Sequence, residues 1–127
     1  VLVTGNLQTG IESWKDITNQ TLLVFPYGCT YRKNLEQFLL QEGITPERII
    51  EFNSLGAMIA SICAGLGISL LPSAVVRNYI KDNLMSTYPI PEAYSVIPTV
   101  IAYRKDHFEN AAFKAFLECA TSTLSAD

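Results

Sequence analysis

An α/β fold, a sheet with crossover helices, is predicted by two observations. Short apolar runs of strand length alternate with longer runs whose apolar residues recur at helical spacing. A stretch of twenty-four residues, Asn53 to Val76, carries no charged side chain, yet it holds an internal stop where a helix must end. The composition agrees. Of 127 residues, 49% are apolar and 17% are charged, enough to fill one sizeable core and too apolar for a disordered chain.

The elements follow in order. Val1 to Thr4 reads as a strand already under way, so the chain is expected to begin inside a larger fold. Ser13-x-x-Asp16 starts a short turn of helix around Trp14. Leu22 to Phe25 is a strand. Thr30 to about Glu42 is a helix with Tyr31, Leu35, Phe38 and Leu39 inward. Its Arg32, Lys33, Glu36 and Gln37 lie largely on the polar face, and Gly43 ends it. Ile49 to Phe52 is the next strand.

The charge-free run comes after it. It is long enough to cross a membrane on hydropathy alone. Its pattern instead predicts a helix of about 12 residues followed by a strand. Leu55, Met58, Ile59, Ile62 and Leu66 recur at helical spacing, while Ala57, Ala60, Ser61 and Ala64 make a small second face suited to close packing. A helix apolar on nearly every side is expected to be buried between a sheet and another layer. Ser54 is placed to cap it, and Gly65 and Gly67 to stop it. Ile68 to Leu71 is a buried strand closed by Pro72.

Pro72 to about Ile80 is a shorter helix, and Leu84 to Tyr88 an edge strand. Val96 to Tyr103 is predicted as a further strand, with Pro98 placing it at an edge. Asp106-x-x-Glu109 resembles a capping box and leads into a last helix with Ala112, Phe113, Phe116, Leu117, Ala120 and Leu124 inward. No internal repeat, low-complexity stretch or long linker divides the chain.

Charge and motifs exclude several classes. The net charge is −3, and basic residues are scattered, as at Arg32-Lys33 and Arg104-Lys105, so no stripe for nucleic acid forms. Three cysteines, Cys29, Cys63 and Cys119, lie far apart in an odd number. They read as reduced thiols of a cytoplasmic protein, with Cys63 as core filler and a redox role for Cys29 as the alternative. No signal peptide is visible. Gly65-Leu66-Gly67 follows a helix and precedes a strand, the reverse of a phosphate-cradling loop. Ser54 lacks the first glycine of a nucleophile elbow. His107 is the single histidine, and no carboxylate pair is placed for acid–base work. No catalytic residue, metal ligand or cofactor is assigned.

Two strand-to-helix junctions remain, Phe25-Pro26-Tyr27-Gly28-Cys29-Thr30 and Phe52-Asn53-Ser54-Leu55. Each sets a small hydroxyl residue and free backbone N–H groups at a helix N-terminus, where the dipole favours an anion. Ligands of open α/β sheets bind beyond the carboxyl ends of the strands. Thr30 and Ser54 serve either as simple helix caps or as part of such a binding edge.

Three stretches carry a resemblance. Leu22-Leu23-Val24-Phe25-Pro26-Tyr27-Gly28-Cys29-Thr30-Tyr31-Arg32 resembles the strand, turn and helix that open the second subdomain of LysR-type transcriptional regulators. Glu51-Phe52-Asn53-Ser54-Leu55, Ile59, Ala64-Gly65-Leu66-Gly67-Ile68 and Leu70-Leu71-Pro72 resemble that family's effector-domain signature. Val100-Ile101-Ala102-Tyr103-Arg104-Lys105-Asp106, with Ala112-Phe113 and Phe116-Leu117, resembles its closing strand and helix.

The resemblance implies a type 2 periplasmic-binding-protein-like effector domain, mainly its second subdomain plus the closing strand and helix of the first. Residues 14–95 would be the second subdomain, and 1–13 and 96–127 the crossover and return segments. It also implies a small-molecule effector in a cleft between subdomains, a homodimer or tetramer, and DNA contact only through an N-terminal helix-turn-helix absent from this chain. The family's effector contacts carry over to Gly28, Cys29, Thr30, Asn53 and Ser54. One branch senses peroxide through a cysteine in the helix after this first strand. That position falls on Thr30 here, and its partner near Leu39. A solute-binding protein of a transporter, which shares the fold, is the alternative, and an enzyme on the same fold lacks its acid–base pair. With part of the first subdomain missing, Phe113, Phe116 and Leu117 are expected to be exposed and the fragment to self-associate.

Overall fold

The computed structural model describes residues 1–7, 11–18, 20–104 and 110–124. The chain forms two compact units, Val1–Ile97 and Pro98–Asp127.

The first unit is built on five strands: β1 (Leu2–Gly5), β2 (Thr21–Val24), β3 (Arg48–Glu51), β4 (Ser69–Leu70) and β5 (Met85–Tyr88). β2 and β3 pair in parallel, Leu22 opposite Ile49 and Val24 opposite Glu51. β1 runs antiparallel between β4 and β5. The two ladders meet at Ile68: the Leu23 amide donates to the Ile68 carbonyl at 2.8 Å, and the Ile68 amide to the Thr21 carbonyl at 2.9 Å. The order across the joined ladders is therefore β3-β2-β4-β1-β5. Helices α1 (Thr30–Gln41) and α2 (Leu55–Cys63) make the two crossovers of its parallel part. Helices α3 (Ser73–Lys81) and α4 (Glu92–Ser95) flank β5 in sequence.

Alternating side chains give the sheet a core on each face. Leu2, Leu22, Val24, Ile68 and Leu70 point to one side, where Leu35, Phe38 and Leu39 of α1 cover them. Val3, Leu23 and Leu71 point to the other, beneath Met58, Ile59 and Ile62 of α2 and Val76 of α3. β2 is apolar at consecutive positions, Leu22 to Val24, because both of its faces are covered. On the α1 side, Phe38 lies between Trp14 and Tyr94, with ring centroids 5.1 and 5.6 Å away. Trp14 is held there by a 3₁₀ turn, Trp14–Ile17, in which Ser13 and Asp16 form the expected capping box. Backbone N–H groups of Ser13 and then Glu12 hold the Asp16 carboxyl below its usual pKa.

Three helices stop in the same way. At α1, the Gly43 amide donates to the Leu40 carbonyl and the Ile44 amide to the Leu39 carbonyl. At α2, Gly65 donates to Ile62 and Leu66 to Ser61; at α3, Asn83 donates to Ile80 and Leu84 to Tyr79. These are Schellman motifs, and their hinge residues, Gly43, Gly65 and Asn83, adopt φ of 67°, 77° and 56°. Asparagine is the residue that best replaces glycine in this conformation.

Some expectations fail. α2 is not buried on both sides. Met58, Ile59 and Ile62 face the sheet, while Ala57, Ala60 and Ala64 are exposed. Its apolar outer face is made of small side chains, which expose little area per residue. The run from Asn53 to Val76 contains α2, β4 and the start of α3, and no helix among the described residues is long and apolar enough to cross a membrane. Arg32 is not on the polar face of α1 but is buried, at 6% exposure. α4, around Tyr94, was not predicted, since four residues are too few for a periodic signal.

In the second unit and the two residues before it, the predicted strand at Val96 to Tyr103 is absent: 96–104 take no strand pairing. A strand exists by hydrogen bonding to a neighbour, and none of the described strands pairs with this segment. The unit's helix is α5 (Ala111–Leu124). The start signalled by Asp106 and Glu109 lies outside the described residues, as does His107. Asn110 caps α5, its Oδ1 accepting from the Phe113 amide at 2.8 Å. Phe113 meets Tyr103 edge to face at 5.3 Å. Phe116 is exposed as expected, while Phe113 and Leu117 are half-buried.

Candidate ligand-binding edge

β2 and β3 are adjacent and parallel, so their carboxyl ends lie side by side, and each feeds a helix. The Phe52 amide donates to the Val24 carbonyl at 2.8 Å, which continues the ladder one step past β3. Beyond that point the chains diverge into the turns before α1 and α2.

The first turn is built by Gly28, at φ 97°, a conformation L side chains rarely adopt. A methyl group there would meet nothing, so the glycine is required by backbone shape and not by space. The Cys29 amide closes the turn by donating to the Pro26 carbonyl at 3.3 Å. Cys29, not Thr30, is the N-cap of α1, and its side chain makes no capping bond. Thr30 is the first helical residue. The opening turn of α1 thus presents N–H groups that no capping side chain occupies.

The second turn differs. Ser54 is the N-cap of α2, and its Oγ accepts from the Ala57 amide at 3.3 Å. Asn53 and Ser54 are both exposed. Ser54→Ala is expected to lower stability by about 1 kcal/mol. Thr30→Ala is expected to cost a few tenths at most, since an exposed N1 hydroxyl caps nothing. Urea denaturation of both variants checks this; equal losses would mean that Thr30 caps after all.

A recess of about 460 Å³ opens on the first turn. Gly28, Cys29 and Thr30 line it together with Arg32, Lys33 and Glu36, and Tyr27 stands at its side. Asn53 and Ser54 do not line it. The structure therefore brings three of the five sequence-predicted residues to one recess and leaves the other two at the neighbouring junction.

Arg32 and Tyr27 were missed as site residues by sequence reasoning. The Arg32 Nη1 donates to Glu51 at 2.7 Å and to the Phe25 carbonyl at 3.0 Å, and its Nε donates to Glu36 at 2.8 Å. Glu36, and then Glu51, raise the guanidinium pKa against the opposing effect of desolvation. The Tyr27 ring lies over the guanidinium, 3.6 Å from carbon to centroid, and is 82% exposed. A signal existed: Glu36 follows Arg32 at the i, i+4 spacing of a helical ion pair.

Cys29 is half-buried at the lip of the recess. Cys63 packs at the margin of the second core cluster, where burial pushes its thiol pKa up. Among the described residues, no group of three histidine, cysteine, aspartate or glutamate side chains is placed to hold a metal ion.

The architecture is that of periplasmic-binding-protein-like domains. The effector binding domain of QuiR, solved in complex with shikimate, superposes with a TM-score of 0.69 at 19% identity, covering 94% of this chain and 58% of that one. The effector domain of the regulator AmpR of Pseudomonas aeruginosa gives 0.63 at 19% identity over 99% of this chain and 61% of its own. At that identity the likeness is one of fold. Family membership comes from sequence: residues 6–125 match the LysR substrate binding domain, and the chain belongs to that family. It is 40% identical over 117 residues to the HTH-type transcriptional regulator GltR of Bacillus subtilis and 41% identical over 118 residues to CzcR of Bacillus anthracis. These alignments cover 92% and 93% of the chain but 40% of each regulator, so it spans about two fifths of the length of such relatives.

Proposed function

We propose that the chain is the ligand-sensing part of a cytoplasmic LysR-type transcriptional regulator, and that a small anionic effector binds at the turns before α1 and α2. The observation that carries the reading is the pair of adjacent parallel strands, each ending in a helix N-terminus, with the first helix uncapped by any side chain. Gly28, Cys29 and Thr30 would supply backbone N–H groups and a hydroxyl, and Asn53 and Ser54 would approach from the second turn. Lys33 adds a cation beside the recess.

Magnitudes say what else is needed. One exposed helix N-terminus contributes about 0.3–1 kcal/mol toward an anion. A micromolar ligand requires roughly 8 kcal/mol. Two helix ends therefore orient a ligand and set its charge, and most of the affinity must come from a facing wall. In this fold that wall is the other lobe. A ligand bridging both walls favours one cleft angle, and the shift in population is what an N-terminal DNA-binding head of a dimer or tetramer would read. No covalent step is involved. The relatives named as transcriptional regulators favour this reading over transport.

Sulfate is a suitable first probe, because it tests the anion preference without requiring the effector. Titrated into the ¹⁵N-labelled chain, it is expected to move the amide resonances of Gly28 to Thr30 most, and those of Asn53 and Ser54 less. A panel of carboxylates including shikimate, each paired with its neutral amide, then ranks shapes. Resonances that stay fixed at these turns, or move elsewhere instead, would sink the anion reading.

A further inference from the structure

Arg32 has the wrong partners for a ligand-binding arginine. Its guanidinium is buried, it already faces two carboxylates, and a third bond goes to a backbone carbonyl. Its one positive charge is opposed by Glu36 and Glu51, so it has little left for an incoming anion. What those partners share is location. Phe25 opens the first turn. Tyr27, whose ring rests on the guanidinium, lies within it. Glu51 is the last residue of β3 and immediately precedes Phe52-Asn53-Ser54. Arg32 itself sits on the first turn of α1. One side chain thus reaches the root of both turns from the helix that the first turn feeds.

We propose that Arg32 is a positioning residue: its buried guanidinium ties the Phe25–Thr30 turn to the end of β3, and so presents the two helix N-termini in one fixed arrangement. The role in ligand binding rests on the reading of these turns as a ligand edge; the tie itself does not. A planar fork with donors pointing in different directions can serve Phe25, Glu36 and Glu51 at once. Lysine, a single ammonium on a flexible stem, cannot, so keeping the charge alone does not restore the tie. A binding edge fixed in advance loses less freedom when a ligand arrives, and that saving appears as affinity.

The test uses ¹⁵N relaxation on the full chain, for the wild type, Arg32→Gln, Arg32→Lys and Glu51→Gln. Order parameters near 0.85 mark a rigid backbone, and values below about 0.6 a flexible one. In Arg32→Gln and Arg32→Lys, both Tyr27 to Thr30 and Phe52 to Ser54 are expected to fall toward the flexible range, while β1 and β5 keep wild-type values. A lost global stabiliser would leave these fast motions unchanged in the folded state. Sulfate affinity is expected to fall about tenfold in both variants. Glu51 is half-exposed, so Glu51→Gln guards against a variant that fails to fold; it is expected to loosen Phe52 to Ser54. Wild-type order parameters at both turns in the folded variants would overturn the role of Arg32. Rigid turns in the wild type that bind no sulfate would overturn the ligand edge, and with it the functional half of the proposal.

Discussion

Gly67→Ala is expected to destabilise the chain by about 3–5 kcal/mol, summing the overpacking with the loss of two backbone hydrogen bonds. The cause is close approach and not backbone conformation. A methyl group at Gly67 would overlap the Thr21 carbonyl oxygen and stand 3.1 Å from Leu23 Cδ2. Neither can yield easily. The Thr21 carbonyl accepts from the Ile68 amide, and Leu23 donates back to Ile68. Those two bonds join β2 to the strand that continues into β4, and hence the parallel half of the sheet to the antiparallel half. Pushing Gly67 away opens the junction beside Ile68, which is fully buried. Against a typical stability of about 5–15 kcal/mol, such a loss leaves little folded protein at moderate denaturant. Gly43→Ala is the control. Gly43 has φ 67° but open space around it. It is expected to lose about 1 kcal/mol through conformation alone. Urea midpoints decide: if Gly67→Ala loses no more than Gly43→Ala, close approach is not what glycine provides here.

Gly67 also shows where sequence reading reaches its limit. In the sequence it reads as half of a helix stop, together with Gly65. Gly65 does that work, as the left-handed residue of a Schellman motif, while Gly67 serves a neighbouring strand 46 positions earlier in sequence. Local signals were legible because their causes are local. Ser13 and Asp16 cap one another, Ser54 caps α2, and apolar spacing placed the buried side of α1 at Leu35, Phe38 and Leu39. Pairing between strands was not legible. Nothing in Leu2 to Gly5 announces that it runs antiparallel between β4 and β5, because direction is set by partners distant in the chain. The segment 96–104 fails for a related reason: it has the composition of a strand but pairs with none of the described strands.

The candidate site divides along the same line. Gly28 entered from the sequence only as a ligand contact implied by the family resemblance, and the demand its turn makes on it, a φ of 97°, appears only in the structure. Thr30 and Ser54 looked equivalent, yet Ser54 caps its helix and Thr30 stands one residue inside one. The difference is one residue of register at a helix start, finer than periodicity can define. Arg32 looked solvated because arginine usually is. Its burial depends on Glu51, on a strand that only the fold brings near.

Phe38→Ala is expected to lower stability by about 3–5 kcal/mol, the usual range for an aromatic residue deleted from a core. Phe38 is fully buried, and its ring is held between Trp14 and Tyr94. No neighbour is placed to refill the space cheaply. Trp14 is anchored by the Ser13–Asp16 capping box, and the Tyr94 carbonyl accepts from Asn34 of α1 at 3.0 Å. The cavity should therefore persist, and persistent cavities give the larger losses. Phe38→Leu keeps most of the volume and is expected to cost clearly less. Trp14 is the single tryptophan in the chain, so its emission reports this contact directly. In folded Phe38→Ala a red shift is expected before any urea is added, as water reaches the indole. Wild-type emission together with a midpoint no lower than that of Phe38→Leu would mean that the aromatic cluster collapses freely. The consequence reaches the proposed ligand edge, because α1 carries Phe38 on its buried face and Thr30 at its start. A helix loosened at Phe38 cannot hold its first turn in register with β2. Phe38→Ala is thus expected to weaken sulfate binding at Gly28 to Thr30 although it touches no residue of that turn. Unchanged sulfate affinity in the folded variant would show that the turn is held by Arg32 and its own hydrogen bonds, independently of the core beneath.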